Sequence, residues 1–183
     1  MSLATDVQER PQAIDWMARA DAVAEEIAAY AALHDADDSF VSEAYQRLKA
    51  EGLFKALVPV EFGGGGAETA EICQVIRRLG AACGSTALAF AMHSHLVAVA
   101  AWRWRHQGAP TEGLLKRVAG EDLVLVSSGG SDWIGGSGKA EKVDGGYRVT
   151  ARKVFTSGAE AGDLLMTGAI CDVDGTPTVL HFG

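Results

Sequence analysis

Leu114-Leu115-Lys116-Arg117-Val118-Ala119-Gly120-Glu121-Asp122-Leu123-Val124-Leu125-Val126-Ser127-Ser128-Gly129-Gly130-Ser131-Asp132 is where the chain changes texture. Before it the sequence is Ala-rich, with apolar residues recurring at three and four, the period of a helix face. After it come short runs of Val, Thr, Gly and Ser that alternate at two, the period of a strand. The change predicts an α+β chain with its boundary at Gly120: an all-α helical domain over 1–119, then part of an antiparallel β-barrel or sandwich over 120–183. The last predicted strand runs almost to Gly183, which would leave an unpaired edge, so the β-domain reads as incomplete.

Working upstream, the spacing predicts a helix from about Gln12 to Leu33, following Pro11, with Ile14, Met17, Ala24, Ile27 and Ala31 on its buried face. A second starts at Asp38 or Ser39, carries Val41, Tyr45 and Leu48 as its apolar stripe, and stops at Gly52. Leu53 to Val58 reads as a short extended piece halted by Pro59. Gly63-Gly64-Gly65-Gly66 lacks the lysine and hydroxyl pattern of a phosphate loop and reads as a backbone turn. Helices over Glu68–Leu79, Ser85–Trp104 and Thr111–Val118 complete the first half. The helix from Ser85 is apolar on most sides and is expected at the centre, burying Leu88, Met92, Leu96 and Val99. Downstream, strands are expected over 123–126, 138–143, 147–150, 152–157, 164–170 and 178–182, with hairpin turns at Asp144-Gly145-Gly146 and Asp172-Val173-Asp174-Gly175.

Composition narrows the function classes. The chain has 183 residues, 48% hydrophobic and 22% charged, enough apolar material for a sizeable core. Its net charge of −8, without a Lys/Arg run, argues against a nucleic-acid surface. The 3 cysteines form neither a disulfide framework nor a zinc pattern. Met1 to Pro11 has no basic stretch leading into an apolar one, so no secretory leader is expected and a cytoplasmic setting fits. His93, His95 and Arg103 interrupt the longest apolar stretch, which therefore reads as a buried helix rather than a membrane span. His93 and His95 are two apart on that helix and diverge by about 200°, so they do not share a metal ion. Trp102 and Trp104, with Arg103, Arg105 and His106, read as packing plus compensation of the helix dipole, with binding of a nucleotide ring or a partner as the alternative.

The stretch of most chemical interest is Ser127-Ser128-Gly129-Gly130-Ser131-Asp132, whose glycines and hydroxyls suit a pyrophosphate or, more simply, a solvated loop. Phe155 and Ser157, two apart on an expected strand, would share a face and offer a ring wall and a hydroxyl to a flat ligand.

Several segments together resemble the acyl-CoA dehydrogenase superfamily. Leu57-Val58-Pro59-Val60-Glu61-Phe62-Gly63-Gly64 is similar to its V-P-E-E-x-G-G turn, and Ala81 to Ala89 leads into Met92-His93 as in its helix beside the active site. Gly130-Ser131-Asp132 matches its G-S-D. Gly145-Gly146-Tyr147-Arg148-Val149, then Arg152 to Gly158, resembles G-Y-x-[LI]-N-G-x-K-x-[WF]-I-[TS]-N. The resemblance implies a helical domain, a β-domain and a further C-terminal helical domain. It also implies FAD as cofactor, an acyl-CoA or related small molecule as substrate, an electron acceptor and a homo-oligomer. The reaction it implies is α,β-dehydrogenation, a carboxylate taking the α-proton and the flavin the β-hydride. Carried over by motif, Ser127 or Ser128 lies near the flavin pyrimidine edge, Gly130 and Ser131 near the pyrophosphate, and Phe155, Thr156 and Ser157 along the ring. The family's base is generally a Glu in the C-terminal domain, so no catalytic residue is named in this chain. Two departures stand out: the loop lacks the family's T-E-P, as do flavin monooxygenases of the same fold, and Gly158 replaces an Asn. Dehydrogenation is the leading expectation, with a monooxygenase and a non-catalytic binding domain as alternatives.

Overall fold

The computed structural model describes residues 14–183, so the expected helix start at Gln12 and the role of Pro11 lie outside the described residues. Five helices come first: α1 (Trp16–Asp37), α2 (Ser42–Ala50), α3 (Thr69–Gly80), α4 (Gly84–Gln107) and α5 (Glu112–Glu121). Strand β1 (Leu125–Ser127), a short helix α6 (Gly130–Gly135), and strands β2 (Lys139–Val143), β3 (Gly146–Thr150), β4 (Leu164–Val173) and β5 (Thr176–Phe182) follow. This is the α+β architecture that the change of period implies.

Asp15 caps α1 by accepting from the Ala18 N–H at 2.9 Å. The buried face of α1 is Trp16, Ala20, Val23, Ala24 and Ile27. Ala24 and Ile27 stand as expected; Met17 sits at the surface and Ile14 and Ala31 only border the core. The true stripe runs through small alanines, which let neighbouring helices approach closely and carry little weight in a pattern of large apolar residues. In α2, Val41, Tyr45 and Leu48 are buried as the spacing requires, and Gly52 adopts φ 66 just beyond it. Helix α3 opens with a Glu68–Glu71 capping box.

Leu53 to Val58 is not extended. Leu53–Lys55 forms a 3₁₀ turn, and the apolar run is explained by burial of Leu53, Phe54, Ala56 and Val58. The glycine run folds back over it: Gly65 N–H bonds to Lys55 O, Gly66 N–H to Val58 O and Ala67 N–H to Ala56 O. A Cβ on Gly64 would stand 2.2 Å from Val58 O, and one on Gly65 would stand 2.2 Å from the Trp16 ring. The glycines are thus a close-packing turn.

Cys83 occupies the N-cap position of helix α4 without a side-chain cap bond, so the helix begins one residue before the expected Ser85. It is long and apolar enough to cross a membrane, yet 56% of its most apolar window is buried in the fold. Its buried set is Thr86, Ala87, Ala89, Phe90, His93, Ser94, Leu96, Val97, Ala100 and Ala101. Of the four residues expected in the core only Leu96 is buried; Leu88 and Val99 are 59% and 52% exposed, and Met92 is intermediate.

The sheet is mixed. Strand β4 pairs in parallel with β1 (Leu125↔Leu164 to Ser127↔Met166) and with β2 at Lys139↔Ile170, and antiparallel with β5 (Thr167↔Phe182 to Val173↔Thr176). Strands β2 and β3 form an antiparallel hairpin closed at Val143↔Gly146. Val124 and Val126 enter the core of the helices, and Leu123 and Leu125 join a second cluster with Leu96 and Val97, so β1 is buried along its length. Residues 152–157 form no strand: Val154 is 93% and Phe155 62% exposed, and the β-like composition finds no neighbouring strand to pair with.

Candidate functional site

The loop after β1 is short and turns directly into α6, where a solvated loop was expected. Gly129 makes the turn at φ 90, and a Cβ there would stand 3.2 Å from the Phe155 ring. Glycine is required twice over, for the backbone conformation and for the approach of that ring. Phe155 and this loop wall a cavity of about 350 Å³ lined by Ser128, Ser131, Asp132, Gly136, Ser137, Lys153, Val154 and Phe155.

The floor of that cavity is a buried carboxylate knot. Lys153 Nζ donates to Asp132 Oδ1 and Oδ2 at 2.9 and 2.8 Å, to Ser137 O at 2.9 Å and to Gly168 O. Ser128 and Ser137 hydroxyls donate to the same carboxylate, and the Thr167 hydroxyl stands 3.1 Å from it. Burial works to raise the Asp132 carboxyl, but the hydrogen bonds from Lys153, Ser128 and Ser137 and the Gly168 N–H outweigh it and hold it well below the usual carboxylate range. Ser128 therefore spends its donor inside the knot. Ser127 instead lines a second groove.

That groove, about 220 Å³, is lined by Met92, His95, Leu96 and Val99 of α4 and by Ser127, Gly129, Gly130 and Trp133. Three of the residues expected in the core thus face it. Ser157 is elsewhere, in a pocket with Ser39, Phe40, Val41, Ser85, Leu88, Ala89 and Gly158. With no strand over 152–157, Phe155 and Ser157 do not share a strand face, and Thr156 lies between the two as its carbonyl accepts from the Ala159 N–H. The structure therefore gathers Ser127, Ser128, Gly130, Ser131 and Phe155 around two adjoining hollows, and sets Ser157 apart at the N-terminal end of the same α4 face.

Two features have partners that the local sequence does not show. At Gly158, φ is 77 and a Cβ would meet the Tyr45 hydroxyl oxygen at 2.6 Å, so glycine replaces the family pattern's Asn where Tyr45 occupies the space. Burial pushes that phenol up to about 12. His93 is fully buried: Nδ1 accepts the Leu125 N–H at 2.9 Å and Nε2 donates to Phe54 O at 2.7 Å. These partners require the neutral Nε2–H tautomer. Desolvation lowers His93 to about 4, the Phe54 carbonyl opposing and His95 and Lys49 adding to the fall. His95, its neighbour in sequence, is exposed. Among the described residues no group of three His, Cys, Asp or Glu side chains is placed to hold a metal ion.

A helical layer thus leads into a β-sheet at a glycine-serine loop. Residues 9–110 match the family described as acyl-CoA dehydrogenase, N-terminal domain, and the chain belongs to that family. It is 28% identical over 155 residues to isovaleryl-CoA dehydrogenase of Oryza sativa, covering 81% of this chain and 38% of that protein. It is 29% identical over 174 residues to dibenzothiophene monooxygenase of Rhodococcus erythropolis, covering 87% and 39%. Among solved structures, KijD3 in complex with FMN and an aminodeoxy-ketosugar nucleotide superposes with a TM-score of 0.74 at 26% identity, covering 90% of this chain and 42% of that one. The chain thus spans about two fifths of the length of these relatives.

Proposed function

We propose that the protein containing this chain is a flavin-dependent oxidoreductase whose isoalloxazine stands against Phe155 and the Gly129–Ser131 loop, with an apolar substrate in the adjoining groove of Met92, Leu96, Val99 and Trp133. The observation that carries this reading is an aromatic ring 62% exposed beside a glycine whose backbone makes room for it, next to an apolar groove. A ring wall, a glycine-lined approach and one free hydroxyl suit a flat ligand with a polar edge. Ser127 is assigned the hydroxyl contact, because Ser128 is committed to Asp132; Ser131 and Gly130 are assigned to the phosphate-bearing arm. Thr156 and Ser157 are assigned to the far end of the ring system.

When bound, the flavin supplies hydride or oxygen-transfer chemistry. This chain's residues bind and orient it and exclude water along α4. The leading reaction is α,β-dehydrogenation of an acyl-CoA thioester with FAD, an electron acceptor and a homo-oligomeric assembly, in a cytoplasmic protein whose helical and β-domains divide near Gly120. A second reading, oxygen transfer to a small apolar substrate with FMN, is favoured by the absence of T-E-P from the loop; the similarity to a monooxygenase and to an FMN-bound structure supports it too. The test is to identify the flavin extracted from the complete protein, then to add acyl-CoA thioesters without oxygen. Bleaching of the flavin band establishes dehydrogenation. No bleaching, with oxygenated product from reduced flavin and air, establishes the second reading. A complete, folded protein that binds neither flavin overturns both.

A further inference from the structure

Residues 152–155 neither donate nor accept a backbone–backbone hydrogen bond among the described residues, although Phe155 lies in this stretch and forms one wall of the site. The side-chain hydrogen bonds of this stretch all come from Lys153. The Lys153 side chain is 13% exposed and that of Asp132 7%. The pair ties together three pieces that are remote in sequence. Asp132 belongs to α6 and holds Ser128 at the end of β1; Lys153 belongs to the irregular stretch; both bond to β4 at Thr167 or Gly168. An exposed ion pair would contribute little, but a buried one with every donor engaged defines a geometry, because breaking it strands a charge.

We propose that Asp132 and Lys153 are a positioning pair that holds the Phe155 ring in place against the Gly129–Ser131 loop, and so sets the wall on which the flavin rests. The inference rests on the flavin reading above. Neither residue need touch the reacting atoms: Lys153 acts through Phe155, which it holds from two residues away, and Asp132 acts through the loop it terminates. The pair takes the place of the strand hydrogen bonds that residues 152–157 lack.

The test is a double-mutant cycle in the complete protein between Lys153→Met and Phe155→Ala, read as flavin affinity by titration of the flavin-free protein with FMN and with FAD. Lys153→Met should weaken binding by about tenfold or more in the wild-type background and have almost no further effect once Phe155 is Ala, since its action passes through that ring. Amide exchange of the flavin-free protein is the second measurement: Lys153→Met should speed exchange across 151–157 and leave α1 to α3 unchanged. If Lys153→Met does not fold, Asp132→Asn, which keeps the shape and removes the charge, takes its place in the same cycle. Equal losses of affinity in both backgrounds, or unchanged affinity in a folded variant, would overturn the proposal. Should the wild type bind no flavin, the functional reading fails, and exchange across 151–157 still decides the clamp: local acceleration supports it and an unchanged profile sinks it.

Discussion

Acidifying the protein from pH 7 to pH 4 should remove about 3 kcal/mol of stability through His93 alone. The side chain is buried with both ring nitrogens bonded to backbone groups, Phe54 O on one side and Leu125 N–H on the other. Protonation would give the ring a second N–H, at Nδ1, where the Leu125 N–H already points, and a charge in an apolar interior that includes the Phe54 ring at 4.9 Å. The folded value is about 4 against an ordinary 6.5. Between those values the unfolded chain binds a proton that the folded chain refuses. The contribution is therefore fully present above about pH 6.5, is lost as pH falls towards 4, and levels off below it. At about 1.4 kcal/mol for each pH unit across that window, the loss by pH 4 comes to about 3 kcal/mol. The assay is urea unfolding followed by circular dichroism at steps from pH 7 to 4, for the wild type and for His93→Gln. Glutamine does not titrate, and carboxylates that titrate in both proteins cancel in the difference. The variant is expected to be the less stable at pH 7, with the gap between the two narrowing by about 3 kcal/mol at pH 4. Parallel profiles, with the gap constant to within about 0.5 kcal/mol, would refute the neutral, doubly bonded imidazole.

On α4, Leu96→Ala should cost about 2–5 kcal/mol in denaturant titration while Leu88→Ala costs less than about 0.5, because only the first is buried; equal costs would mean the helix is turned the other way. Gly64→Ala should destabilise by about 1–3 kcal/mol or more, since its Cβ would meet the Val58 carbonyl, which cannot rotate aside. Gly84→Ala, with nothing within 4 Å and an ordinary φ, should be neutral or raise the melting temperature; a loss there comparable to that of Gly64 would discredit the packing argument for the glycine turn.

Local chemistry made some elements readable and left others out of reach. The stripe of α2, the α3 boundaries and the two hairpin turns follow from residues within a few positions of one another. At Asp174-Gly175 both residues take positive φ, as a tight hairpin demands. Residues 152–157 fail because β-propensity describes a surface that fits a sheet, and whether a neighbouring strand exists is a tertiary fact. Lys153 shows the same limit from the polar side. A lysine next to Arg152 reads as a surface charge, and its burial depends on Asp132, 21 positions away, and on Gly168, 15 positions away.

Helix α4 carries the sharpest case, because it is apolar on nearly every side and periodicity alone gives no reason to choose a face. Two interleaved stripes compete: Phe90, His93, Val97 and Ala101 on one, Leu88, Met92, His95 and Val99 on the other. Large aliphatic residues favour the second, yet the fold buries the first. The choice is made by His93, whose two hydrogen bonds to Phe54 and Leu125 are available only when its side faces inward, and by the small residues that let β1 come close. The remaining stripe is left beside the Gly129–Gly130 loop, where Met92, His95 and Val99 line the groove. One helix thus holds β1 in place with its inner face and presents the candidate substrate surface with its outer one. On this view substitutions at Phe90, His93 or Val97 act on folding, those at Met92 or Val99 act on ligand binding, and Leu96, which borders both the second core cluster and the groove, acts on each.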